Sequence, residues 1–270
     1  MKYFFFDIDG TLKPYGHNIS KSTKNVIKKL KENGNAVFLA TGRRDNEIRD
    51  MMKELKINDA VCAGGGTVII NNKIEKQIFF DKGKLKDILD ECKKNNIIMV
   101  SISDGNSYTT YKGLKLKPYI FLIKLLQHTR FFKVGSVNGN ALNSYKNIEH
   151  IDEESFLNKP TQKLMFFNYK AIKKVKSIKE FTIYNNIFCV AIEFDFKEKG
   201  IEYIRSKYNL SLDDIVVFGD GRNDISMFDY AKNSIAMGNA CEEVKKRASF
   251  ITKKDTEDGI EYACKYFKWI

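Results

Sequence analysis

The chain has 270 residues and a formal net charge of +12, and its 43% hydrophobic and 30% charged residues describe a soluble globular protein with a large core, which excludes a disordered chain. No apolar run approaches membrane-spanning length, and the stretch from Met1 to Asp7 lacks a signal peptide's apolar region and cleavage site, so a cytoplasmic protein is expected. Cys62, Cys92, Cys189, Cys241 and Cys264 are scattered without a Cys-x-x-Cys pair, which argues against both a disulfide framework and a zinc site.

The run Tyr3 to Phe6 is too short for a buried helix and reads as a central strand covered on both faces. Asp7, Asp9 and Gly10 follow it. Glycine allows a sharp turn, so both carboxylates can face the space beyond the strand's carboxyl edge, where open parallel sheets bind ligands. Two carboxylates about 4 Å apart repel by roughly 4 kcal/mol at an effective dielectric of 20, so the pair needs a cation, a shared proton, or both. Asp and Gly are also common in plain turns, and this fragment alone does not separate the two readings.

Ser20 can cap a helix reaching Asn33, with Val26, Ile27 and Leu30 as its apolar stripe and Gly34 at its end. The apolar strand Ala36 to Ala40 then runs into Thr41-Gly42-Arg43. Strand, helix and strand in this order form a right-handed βαβ unit, which brings Thr41 near Asp7. A hydroxyl followed by glycine at a strand end suits a phosphate oxygen, although an ordinary turn uses the same residues. Asp45 to Leu55 reads as a helix, Ala60 to Ala63 and Thr67 to Ile70 as strands, and Gly64-Gly65-Gly66 between them as a close backbone passage.

From about Lys82 the pattern changes to a helix, Leu85 to Asn95, followed by short strand-like runs at 97–102, 108–111, 161–167 and 188–194. A helix is predicted over Ala171 to Phe181, and the region Pro118 to Gln127 is ambiguous. This segment reads as an α+β module of ordinary domain size. Lys199-Gly200 opens another helix through Tyr203, Ile204 and Tyr208, and the strand Ile215 to Phe218 ends in Gly219-Asp220-Gly221-Arg222-Asn223-Asp224. The hard oxygen ligands of this second acidic cluster suit a magnesium ion. Alternation of strands and helices then resumes to the C-terminus. The lysines are spread along helical-looking segments, so the positive charge is read first as solvated faces and second as attraction of small anionic substrates.

The segments Asp7-Ile8-Asp9-Gly10-Thr11-Leu12, Thr41-Gly42-Arg43, Lys199-Gly200 and 219–224 fall in the order and spacing of the four motifs of the haloacid dehalogenase superfamily. More narrowly, the chain resembles the Cof-like (type IIB) phosphatases, including in its tail from Ala236 to Ala240. The resemblance implies an α/β fold: a Rossmann-like parallel-sheet core domain, residues 1–82 and 196–270, with an inserted α+β cap domain, residues 83–195. It implies Asp7 as nucleophile and Asp9 as general acid and base, with Thr41, Gly42 and Lys199 binding phosphate. Magnesium would be held by Asp7, the backbone carbonyl of Asp9 and Asp220, with Asn223 and Asp224 supporting. One departure stands out, because many relatives carry Asn-Gly-Ala where this chain has Gly64-Gly65-Gly66.

The expected activity is magnesium-dependent hydrolysis of a small phosphorylated metabolite, a sugar phosphate or a phosphorylated cofactor or its precursor, through an aspartyl-phosphate. The cap would close over the site and choose the substrate through its loops, around Arg130 to Asn138. A monomer or small homo-oligomer without nucleic-acid or membrane partners is expected. Two alternatives stay open: a sugar phosphomutase using the same nucleophile, and a non-catalytic protein that binds an anion or nucleic acid through its basic charge. The acidic quartet argues against the latter, since it would repel a polyanion.

Overall fold

Among the residues that the computed structural model describes, 1–103, 105–112, 148–185 and 189–270, β1 (Tyr3–Phe6) is followed by α1 (Lys21–Glu32) and β2 (Ala36–Ala40). The Ser20 side chain accepts the Thr23 N–H at 3.0 Å and so caps α1, whose Thr23, Val26, Ile27 and Leu30 are buried. Next come α2 (Asp45–Leu55), β3 (Ala60–Cys62), a 3₁₀ turn at Ala63–Gly65, β4 (Thr67–Ile70) and β5 (Lys73–Gln77). Sequence reading did not anticipate β5, which is charged and largely exposed. The turn that makes it is Asn71-Asn72, with φ of 50° and 63°, the left-handed pair that closes a two-residue hairpin.

The chain divides into two units, Met1–Gln77 with Asp195–Ile270, and Ile78–Phe194. The second unit holds α3 (Lys82–Lys94), β6 (Ile98–Ser103), β7 (Asn106–Thr109), β8 (Ile148–His150), α4 (Glu153–Leu157), β9 (Lys163–Phe167), β10 (Ile183–Asn185) and β11 (Val190–Glu193). Its described strands form one six-stranded sheet in the order β10-β11-β9-β6-β7-β8, antiparallel except between β7 and β8. The helix expected over 171–181 is not there. Two 3₁₀ turns, Tyr169–Lys174 and Lys176–Ile178, are separated by Val175 in an extended conformation. Ile172, Val175 and Ile178 are all buried, and their spacing of three matches the three residues per turn of a 3₁₀ helix. The regions 118–127 and 130–138 singled out above lie outside the described residues.

The chain re-enters the first unit with α5 (Lys197–Tyr208), β12 (Ile215–Gly219), α6 (Ile225–Tyr230), β13 (Asn233–Ala236), α7 (Glu242–Lys245), β14 (Phe250–Ile251) and α8 (Gly259–Tyr266). Its described strands form one eight-stranded sheet, β14-β13-β12-β1-β2-β3-β4-β5, parallel from β14 to β3 and antiparallel beyond. The aromatic run of β1 is explained by its central place. Phe4 and Phe6 pack on one face with Val26, Leu30, Ile48 and Ile260, while Phe5 packs on the other with Ile201, Ile204 and Met227. Each fully buried phenylalanine is worth about 1.5–3 kcal/mol of transfer free energy, which anchors the strand whose end carries Asp7.

Candidate active site

β1, β2 and β12 are adjacent and parallel, with Phe6 in register with Leu39 and Phe218, so Asp7, Thr41 and Asp220 all leave the sheet at one edge. The Asp7 N–H still donates to the Phe218 carbonyl at 2.9 Å, extending the ladder by one residue and fixing where the side chain begins. Gly10 then turns at φ +85°, and a Cβ there would lie 2.2 Å from Oδ2 of Asp220. Glycine is therefore required twice, for the left-handed backbone and for room beside the carboxylate.

Asp7, Asp220 and Asp224 are buried and bring one oxygen each to within 4.8 Å of one another. Asp224 is fixed by its surroundings. Its Oδ2 accepts the N–H groups of Asp220 and Gly221, each at 2.9 Å, and its Oδ1 accepts Nζ of Lys197 at 2.6 Å. Lys197 also donates to Oδ1 of Asp7 at 2.7 Å, so one fully buried ammonium bridges the two strand ends. Thr11 donates to Oδ1 of Asp220 at 3.3 Å. Asn223 sits half-buried on the 3₁₀ turn Arg222–Asp224.

The lysine expected to meet the phosphate is Lys199, whereas the one that the structure places among the buried carboxylates is Lys197. Lys199 is exposed, with its Nζ 4.7 Å from the centre of the Phe196 ring. The buried face of α5 is Lys197, Gly200, Ile201 and Ile204, the spacing of a helical stripe, and a residue two positions after Lys197 points roughly opposite. That stripe was present in the sequence and extends back from Ile204 to Lys197. Two backbone contacts hold the start of α5 in place. The Phe196 N–H donates to the Gly64 carbonyl at 3.0 Å, and a Cβ on Gly65 (φ +98°) would lie 2.2 Å from the Phe196 carbonyl oxygen. The glycine triplet thus serves as the seat on which the Lys197 end of α5 rests.

Thr41 is buried, and its Oγ1 accepts the Arg43 N–H at 3.1 Å; Gly42 beside it is half-buried. Asp9 lies outside the buried triad. Both of its oxygens are held by the Arg43 guanidinium, Nε to Oδ2 at 2.8 Å and Nη2 to Oδ1 at 2.6 Å. Asn239 donates to the Gly10 carbonyl at 2.8 Å and accepts the Asp255 N–H at 2.9 Å, tying the Gly10 turn to the C-terminal segment. Sequence reading assigned no role to Thr11, Arg43 or Asn239, because each acts through a partner far along the chain.

Burial, then the charge of Asp224, pushes the Asp7 carboxyl up to about 7 against the opposing pull of Lys197. Burial, then Asp7 and Asp224, pushes Asp220 up to about 8. Burial alone would lower the Lys197 ammonium, but Asp224 and Asp7 outweigh it and raise it. Three buried carboxylates against one ammonium leave negative charge uncompensated when all are ionised. A hard divalent cation fits this donor set, with Asp7 and Asp220 the available ligands and Asp224 committed to Lys197 and the backbone.

A model of the haloacid dehalogenase-like hydrolases matches residues 4–264. YkrA of Bacillus subtilis (strain 168) is 26% identical over 268 residues, covering 98% of this chain and 96% of its own. The 5-amino-6-(5-phospho-D-ribitylamino)uracil phosphatase YwtE of the same organism is 25% identical over 276 residues, covering 97% of this chain and 96% of its own. Among solved structures, the subclass IIB sugar phosphatase BT4131 superposes with a TM-score of 0.75 at 25% identity, covering 100% of both chains. The chain belongs to the haloacid dehalogenase-like hydrolases. Within that family it is a Cof-like phosphatase.

Proposed function

We propose that the protein is a magnesium-dependent phosphatase that hydrolyses a small phosphorylated metabolite through an aspartyl-phosphate on Asp7. The observation that carries this reading is the bridge from Lys197 to Asp7 and Asp224 inside a buried carboxylate triad at the sheet edge. Lys197 fixes one Asp7 oxygen and presents positive charge where a phosphoryl group would sit. Asp7 attacks phosphorus, the bond to the leaving oxygen breaks, and Asp9 gives that oxygen its proton. The resulting Asp9 carboxylate takes a proton from the water that hydrolyses the intermediate.

Thr41, Gly42 and Lys197 bind the phosphate oxygens. Lys199, exposed on the opposite side of α5, has no part in this. Magnesium would be held by Asp7, the Asp9 carbonyl and Asp220, with Asp224 and Asn223 supporting, and when bound it shields the anionic phosphate from the anionic nucleophile. The names of two of the relatives, a sugar phosphatase and a phosphatase of a ribityl phosphate, support a phosphate ester on a sugar or reduced sugar as the substrate class.

The test is phosphate release from an aryl phosphate and from a panel of sugar and sugar-alcohol phosphates, with and without magnesium. Asp7→Asn is expected to lower turnover by on the order of 10³-fold or more. Turnover equal to that of the unaltered chain would overturn the assignment of Asp7. Isomerised sugar phosphate outrunning free phosphate would replace hydrolysis by a mutase reaction.

A further inference from the structure

The bidentate pair between Arg43 and Asp9 has no place in the scheme above. Arg43 projects from a firmly held loop: its N–H donates to Thr41 Oγ1, its carbonyl accepts the Ala63 N–H at 2.7 Å, and the Gly64 N–H donates to the Thr41 carbonyl at 3.1 Å. Its side chain is 14% exposed and that of Asp9 29%, so the pair is only partly screened by solvent. A guanidinium fork meeting both carboxylate oxygens fixes the plane of the carboxyl group as well as its position. Burial would lower the Arg43 pKa, but the hydrogen bonds and charge of Asp9 outweigh it and raise it.

We infer that Arg43 is the positioning residue for Asp9: the fork aims the Asp9 carboxyl at the leaving-group oxygen and takes no part in the attack on phosphorus. This deepens the proposed function and rests on Asp9 being the acid and base. During turnover one arm of the fork gives way so that one Asp9 oxygen, carrying the proton, meets the leaving oxygen while the other arm keeps the group oriented. When the P–O bond breaks the proton passes to the leaving oxygen, and the carboxylate returns to both arms. A lysine at position 43 would supply the charge without the fork.

The consequence is a dependence on the leaving group that a phosphate-holding or merely structural residue would not produce. 2,4-Dinitrophenolate departs without a proton, whereas the alkoxide of an alkyl phosphate needs one. The experiment measures kcat/KM, which reports the steps through departure of the leaving group, for 2,4-dinitrophenyl phosphate and for an alkyl phosphate that the unaltered enzyme hydrolyses. Arg43→Ala is expected to lose about 10- to 100-fold on the alkyl ester and less than about threefold on the dinitrophenyl ester, and Arg43→Lys to recover little of the loss. Turnover of the dinitrophenyl ester certifies that the variant is folded. If the alanine variant does not fold, Arg43→Lys carries the same test.

Asp9→Asn separates the role of Asp9 from that of Arg43. If it loses equally on both esters, the acid–base reading of Asp9 fails and the inference goes with it. If it shows the leaving-group split and Arg43→Ala does not, the inference about Arg43 fails alone. Equal losses on both esters for Arg43→Ala would make it a phosphate-binding residue instead. The double variant is expected to be no slower on the alkyl ester than Asp9→Asn by more than about threefold, whereas fully additive losses would show Arg43 acting independently of Asp9.

Discussion

Two cations serve the acidic strand ends under opposite conditions. Lys197 is wholly buried and divides one ammonium between Asp7 and Asp224, whereas Arg43 lies partly open and gives a two-armed fork to Asp9 alone. A buried ammonium between two carboxylates sets the charge of the site and is costly to remove, because its partners cannot turn to water. A partly exposed fork costs less to lose and chiefly governs direction. On the proposed function, the contrast would separate a group needed for the attack itself from one needed only for a difficult leaving group.

The largest effect expected from breaking that contrast is at Lys197. Lys197→Met is expected to lower kcat by on the order of 10²–10³-fold on dinitrophenyl and alkyl esters alike. It should also lower the melting temperature at neutral pH, since Asp224 would keep its backbone donors but lose its counter-charge. A variant that keeps near-normal turnover would remove Lys197 from the phosphate site.

A smaller and more graded effect follows from pH. Asp7 and Asp220, raised to about 7 and about 8, hold protons in the folded chain over a range where the unfolded chain has already released them. Their contribution to stability is fully present below about pH 4 and is lost as pH rises through about 7 to 8. The metal-free protein is therefore expected to melt at a lower temperature at about pH 8 than at about pH 5.5, and saturating magnesium to raise the melting temperature more at the higher pH. Thermal melts with and without chelator check this. A magnesium-induced rise of the same size at both pH values would show that these carboxyls do not hold the ion.

The smallest effect sharpens the lysine assignment. Lys199→Ala is expected to change stability by less than about 0.5 kcal/mol and turnover by less than about twofold, because its ammonium faces Phe196 at the surface. A tenfold loss would return Lys199 to the site.

Most of the candidate site was legible because its residues sit in short segments whose local logic is complete. Asp7, Asp9 and Gly10 end one apolar strand, and Asp220 to Asp224 end another. Lys197, the lysine that meets the buried carboxylates, lies two positions before Lys199, which the motif spacing singled out. Only the phase of the buried stripe on α5 tells the two lysines apart. The role of Gly65 depends on the backbone at Phe196, and Asn239 on the turn at Gly10; contacts of that span leave no local mark. In the second unit, residues 171–181 carry apolar positions at spacings of three and contain good helix formers, so a helix was the natural reading. The extended Val175 shows the 3₁₀ alternative winning.

β5 also bears on how the molecule tolerates crowding. A sheet's outermost strand presents unpaired amides that can recruit another chain, and charge or irregularity on that strand discourages it. β5 carries Lys73, Glu75 and Lys76. Its register against β4 shifts between Val68 and Ile69, and Glu75 is tied to Lys207 at 2.7 Å. At the opposite flank β14 is two residues long. Among the described residues, neither border of the sheet that carries Asp7 is a good template for a stray strand, so the apolar interior that fixes Asp7 can be built with little invitation to fibril-like self-association at high concentration.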